Sequence, residues 1–251
     1  MAQALPNFLA SLGKTELKPG GVYATTTLVH KLGIKTGEHA LLIGTAAANT
    51  ALYVSMTTRA TTEALVADEH EKVTESDPAL RKRSTARIGK PSQLPFPDAH
   101  FDAAMLESAL CTLPAEQAAA CLREVARTLK PGGRIGLHEL CWRQPPTPER
   151  EQALHQVWQG FVRPQVVRGW WDELEAAGFT GIESDTAAMT WFSRKGLEND
   201  EGHETTVNIF HSALEDDARL ARYTAAYREF VQNRRYYGVI LATARKSETA
   251  A

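Results

Sequence analysis

Cysteine is scarce in this 251-residue sequence: only Cys111, Cys121 and Cys141 are present. An odd, small set of thiols excludes a disulfide framework. Long hydrophobic runs are missing as well. None approaches the ~20 residues needed to cross a bilayer, so no membrane partner is expected. The opening stretch, MAQALPNFLASLGK, lacks a charged n-region and an apolar core of signal-peptide length, which points to a soluble, cytoplasmic protein. Nor is there an excess of one charge: Lys plus Arg is 28 and Asp plus Glu is 30, a net of −2. A nucleic-acid partner would call for a basic excess or stripe, so none is expected. No C-x-x-C or H-x-x-x-H spacing occurs, and no metal centre is expected. Internal repeats are absent, and low complexity is confined to a short polar tail at 246–251.

What is present is a hydrophobic share of 43%, enough to bury a sizeable core in one domain spanning 1–251. Short apolar runs at 40–43, 64–67, 86–88, 101–106 and 134–140 read as buried strands. Between the last two lies a clear helix, 114–130, with proline near its first turn and Lys130-Pro131-Gly132-Gly133 to stop it. Asn49-Thr50 reads as the N-cap of a helix reaching about residue 58. Strands alternating with helices through short turns imply βαβ units and a mostly parallel α/β sheet. The second half departs from that alternation. Helices are expected at 147–161, 167–177 and 214–233, with strands at 182–187 and 236–244. Residues 1–35 form a cap segment and 188–235 a lid, within which the charged run 194–204 reads as a solvated loop.

The segment 94–133 carries an LPFPD-x-x-FD turn, a strand and a helix ending in R-x-LKPGG-R. This pattern resembles the class I S-adenosylmethionine (SAM) dependent methyltransferases of the UbiE-like small-molecule type. GFTGIESD resembles that family's penultimate strand and YYGVILATARK its antiparallel last strand. LKPGGVYATTTLVHKLGIKTGEHALLIG resembles the N-terminal helix leading into its first strand. The resemblance implies a Rossmann-like, seven-stranded, mostly parallel sheet with helices on both faces, an antiparallel last strand and a helical lid insertion. It also implies SAM as cofactor and a small molecule as substrate.

By the same resemblance, the cofactor would meet the turn Gly44, Thr45 and Ala46, an acid at Asp68 or Glu69, and Gly89-Lys90. The amides of Gly20 and Gly21, with the nearby Thr25 hydroxyl, would meet its methionyl carboxylate. Asn49, at a helix N-terminus, adds free N–H groups suited to an anion. Several positions depart from the family pattern D/E-x-G-x-G-x-G. Leu42 replaces the acid, and Ala46 and Ala48 replace two glycines. Alanine at positive φ costs roughly 1 kcal/mol or more, so the turn is expected to take another path. At Lys90-Pro91, where the family has an acid, lysine accepts no hydrogen bond and proline donates none from its backbone.

Ligands of open α/β sheets bind outside the carboxyl ends of the strands. There, Glu107, Cys111, His138, Glu139 and Cys141 are expected to share one edge. Glu107, His138 or Glu139 could serve in acid–base catalysis, or these strand residues simply pack into the sheet faces, with the cysteines as small hydrophobes. Two functions remain open. One is a SAM-dependent methyltransferase acting on a small molecule. The other is a methyltransferase-like protein that no longer binds SAM in the usual way and whose cleft serves another reaction or a binding partner.

Overall fold

Apolar strand segments separated by amphipathic helices build one sheet in the computed structural model, which describes residues 3–72 and 76–248. In chain order the elements are α1 (Leu5–Ser11), α2 (Gly21–Leu32), β1 (His39–Gly44), α3 (Ala47–Thr58) and β2 (Thr61–Val66). Then come α4 (Pro78–Arg83), β3 (Ser84–Ile88), β4 (Phe101–Glu107), α5 (Ala115–Thr128) and β5 (Leu129–Trp142). The second half adds α6 (Pro148–Trp158), β6 (Gln165–Val166), α7 (Val167–Ala176) and β7 (Phe179–Ala187). It closes with α8 (Arg194–Glu201), α9 (His203–Ala213), α10 (Asp217–Tyr227) and β8 (Tyr237–Lys246). No helix among the described residues is long and apolar enough to cross a membrane.

The strand order is β3-β2-β1-β4-β5-β8-β7. β8 runs antiparallel between β5 and β7, and the other pairs along this path are parallel. This is the expected Rossmann-like sheet, with one addition: the two-residue β6 pairs with β5 off the main path. Alternation along each strand sends side chains to two covered faces. One face packs Leu41, Ile43, Leu106 and Leu137 against α5 and α7 residues such as Leu122, Val125 and Trp170. The other packs Leu42, Val66, Ala103 and Met105 under Leu28 and Leu32 of α2 and Ala51 and Val54 of α3.

Three local expectations need correction. The Lys-Pro-Gly-Gly run does not end in a loop. α5 stops at Thr128, and β5 begins at Leu129 and passes through it, with Gly132 at φ +71° and a register shift opposite Phe101 to Ala103. The charged run 194–204 is not a loop. Ser193 caps α8 by accepting from the Gly196 N–H, and Leu197 is buried beneath it. Finally, α3 is capped by Ala46, so Asn49 and Thr50 lie inside its first turn.

Segment 188–235 holds α8, α9 and α10. It is also tied to the N-terminal cap: Lys14 pairs with Glu201 at 2.8 Å, the Val22 N–H donates to Asp200, and the Trp191 indole donates to the Lys18 carbonyl.

Candidate functional site

Strand order reverses between β1 and β4, and a crevice opens there at the carboxyl ends of the strands. Gly44 ends β1 at φ +115°; a Cβ on it would stand 2.1 Å from the Glu107 carbonyl oxygen, so only glycine fits. The Thr45 N–H donates to that same carbonyl at 2.9 Å. Ala46 follows at φ 54°, ψ 35°, in the left-handed region. The turn therefore keeps its left-handed bend despite the alanine, at a cost of ~1–2 kcal/mol.

A cavity of about 260 Å³ sits in this crevice, lined by Gly44, Thr45, Val66, Glu71, Pro91 and Ser108, among others. Two of these residues were not singled out in the sequence. Ser108 stands at φ +51°, and its hydroxyl is buried with no hydrogen-bond partner. A strained residue holding an orphaned polar atom is a common signature of a ligand contact. Glu71 reaches back to accept the Ala67 N–H with Oε2. The carboxylates at the β2 end that the sequence singled out are placed differently: Asp68 accepts the His70 N–H, and Glu69 pairs with Lys72. Gly89 lines the cavity, while Lys90 is exposed and forms a bridge with Gln93.

Beyond the Gly44-Thr45 turn, Glu107 and His138 share the α2–α3 face. Their strands pair in register at this point, Glu107 opposite His138. The Gly20 N–H donates to His138 Nε2 at 3.1 Å. A backbone N–H only donates, so Nε2 must accept, and the imidazole carries its proton on Nδ1. Nδ1 then donates to Glu107 Oε1 at 3.0 Å. Thr25 donates to Oε1 at 2.5 Å, and Thr50 donates to Oε2 at 2.8 Å. Lys18 Nζ stands 3.8 Å from Oε2. Burial alone would raise the Glu107 carboxyl, but Lys18, His138 and Thr25 outweigh it and hold the group below its usual range. Gly21 sends its N–H to the Lys18 carbonyl, so neither cap glycine leaves an amide free. A second, 200 Å³ cavity lies beside this network, lined by Glu16, Lys18, Thr25, Asn49, Thr50 and Tyr53.

Glu139 follows His138 in the chain and therefore points to the opposite face, toward α5. Its carboxylate accepts the amides of Ala109, Leu110 and Cys111 at 2.9–3.0 Å, tying down the turn after β4. Burial is the larger influence and pushes this carboxyl up, with the amides only partly offsetting it. The cysteines are all free and buried; burial raises Cys121 and Cys141 to about 12 and Cys111 well above its ordinary value. So the five residues expected on one edge divide between two faces.

A third cavity, of about 470 Å³, opens where residues 188–194 and 227–235 meet the ends of β5, β7 and β8. Phe192, Phe230 and Tyr237 form an aromatic wall, while Arg143, Arg194, Arg234 and Arg235 also line it. Among the described residues, Arg143 and Arg234 have no carboxylate partner. Trp142, Trp158, Trp170 and Trp191 are core residues, with Trp158 stacked on Trp191 at 5.8 Å.

A methyltransferase-domain family model matches residues 32–137 of this chain. An uncharacterised protein of Haemophilus influenzae is 27% identical over 217 residues, covering 85% of this chain and 86% of its own length. The [4+2]-cyclase SpnF superposes with a TM-score of 0.68 at 22% identity, over 90% of this chain and 80% of its own. Phosphoethanolamine N-methyltransferase 2 of Haemonchus contortus, solved in complex with SAM, gives a TM-score of 0.71 at 14% identity. That match covers 96% of this chain and 56% of the larger protein.

Proposed function

We propose that this chain is a class I SAM-dependent methyltransferase, a reading supported by the methyltransferase-domain match over residues 32–137, and that it binds SAM in the β1–β4 crevice and methylates a small amphipathic anion. One observation carries the reading: a built crevice at the switch point, with the left-handed Gly44 turn, an acid and an unpaired buried hydroxyl around one cavity. These residues fit a nucleoside. Glu71 supplies a carboxylate suited to ribose hydroxyls, Ser108 a free hydroxyl, and Val66 and Pro91 an apolar surface for a base. Across the turn, Glu16 and Lys18 line the second cavity, and their opposite charges suit a zwitterionic methionyl group.

When bound, SAM supplies an electrophilic methyl group. The chain's own part is to position the acceptor, align it for in-line displacement and keep water out. The arginine-lined aromatic cavity supports an acceptor with an apolar body and a carboxylate or phosphate, since guanidinium groups pair with both. Three free, buried thiols accord with a reducing cytoplasm.

A second reading rests on a separate observation. Glu107, His138 and Glu139 are buried and fully engaged, so none of them is a free base for an acceptor that must lose a proton. That state would suit an acceptor needing no deprotonation, or a cleft that serves another reaction. The test is transfer of labelled methyl from SAM to a panel of aromatic and aliphatic carboxylates and phosphates. Under the first reading one class is methylated, and Arg143→Ala with Arg234→Ala raises KM at least tenfold while sparing kcat. SAM binding without transfer to any of the panel would favour the second.

A further inference from the structure

The opposite, amino-terminal end of the sheet holds a cluster that the crevice does not use. His39 opens β1, Glu63 lies within β2, and His100 immediately precedes β4. We propose that His39, Glu63 and His100 form a binding site for a divalent transition-metal ion of borderline softness, typified by zinc. Among the described residues, no other group of His, Cys, Asp or Glu brings three ligand atoms within 4.8 Å of one another.

Geometry and chemistry both fit. His39 Nε2 stands 3.1 Å, and His100 Nε2 3.3 Å, from the same oxygen, Glu63 Oε1. A tetrahedral zinc with bonds of ~2.0–2.2 Å has ligand-to-ligand edges of roughly 3.3–3.6 Å, so two edges of the coordination shell are nearly in place. His39 Nε2 is buried and, despite its approach to Glu63, lacks the alignment of a hydrogen bond. Two imidazoles and one carboxylate are the ligand types zinc prefers, and three protein ligands leave a position for water.

The rings are also held in place. Phe101 meets both edge-on, with centroids 4.8 Å from His39 and 4.7 Å from His100. The His39 backbone N–H is fixed by Asp102 Oδ2 at 2.9 Å. Such supporting contacts hold metal ligands in orientation. Both imidazole side chains are partly exposed, 21% for His39 and 33% for His100, although His39 Nε2 itself is buried.

One group opposes the ion. Arg87 Nε holds the other oxygen, Glu63 Oε2, at 2.8 Å, leaving Oε1 for a monodentate ligand. Its charge weakens cation binding, and this gives the proposal a signature that a plain His–Glu–Arg network lacks: removing the arginine should strengthen the site.

The experiment is calorimetric titration of tag-free, chelator-treated protein with Zn(II), repeated with Co(II) followed by visible absorption. One equivalent of Zn(II) per chain is expected, with an imidazole-type Co(II) spectrum and a raised Tm. His39→Ala with His100→Ala should weaken binding at least tenfold, and Arg87→Gln should tighten it severalfold. SAM binding, at the other end of the strands, serves as the fold control for each variant. No stoichiometric Zn(II) uptake would overturn the proposal. So would binding undiminished in the folded double histidine variant, or weakened by Arg87→Gln.

Discussion

Glu107 and Glu139 are buried carboxylates at the carboxyl ends of neighbouring strands, yet they serve opposite faces of the sheet by opposite means. Glu107 is held by side chains that arrive from far away in the sequence: Lys18 and Thr25 from the cap, Thr50 from α3 and His138 from β5. Glu139 is held by three consecutive backbone amides of one local turn. A nearby cation and a hydrogen-bonding imidazole keep the first below the usual carboxylate range, whereas amide donors do not overcome burial at the second. The α2–α3 face thus carries a charged junction between cap and sheet, and the α5 face a carboxyl clamp on a turn. Equal burial and equal residue type do not give equal roles.

The strongest way to break this contrast is Glu107→Ala, which removes one of the two carboxylates of buried Lys18 (Glu16 stays at 3.3 Å) and leaves the His138, Thr25 and Thr50 donors without their acceptor. A loss of ~3–5 kcal/mol in urea unfolding is expected, typical of a broken buried pair. Glu139→Ala strands three amide donors instead, and should cost ~2–4 kcal/mol by the same assay. A titration sharpens the contrast further, because the two carboxyls shift in opposite directions. The folded-state pKa of Glu107 is depressed, so its stabilisation is present above the unfolded value and lost as pH falls through the folded one. The advantage of wild type over Glu107→Gln should therefore shrink below about pH 4. For Glu139 the folded pKa is raised, so wild type should instead gain on Glu139→Gln as pH falls from neutral toward about 4.5. Parallel slopes in the two comparisons would erase the distinction. The smallest effect on stability is expected at Ser108. Ser108→Ala removes an unpaired buried hydroxyl and should change unfolding by less than ~1 kcal/mol, while weakening SAM binding severalfold in a calorimetric titration.

The sheet was largely legible in the sequence because each strand is an apolar or β-prone run bounded by turn residues, and the 94–133 pattern supplied the order. Local signals failed where tertiary contacts decide. Helix α8 has one buried large apolar side chain, Leu197; Asp200 and Glu201 anchor it to the cap, so its polar sequence resembles a loop. Lys-Pro-Gly-Gly looks like a stop, but parallel pairing of Leu129 with Phe101 starts β5 ahead of it. At the site, Gly44, Thr45 and Gly89 could be read from position along the strands. Ser108 and Glu71 could not, because what marks them is a positive φ in one case and a chain reversal after β2 in the other. His138 and Glu139 share the carboxyl end of β5, but strand alternation sends them to opposite faces.

Calorimetric titration of the intact protein with SAM and S-adenosylhomocysteine bears most directly on the β1–β4 crevice. One molecule bound per chain in the micromolar range, weakened at least tenfold by Glu71→Ala in a variant that still folds, is the expected result. Absence of heat and of any thermal shift at millimolar ligand would contradict it.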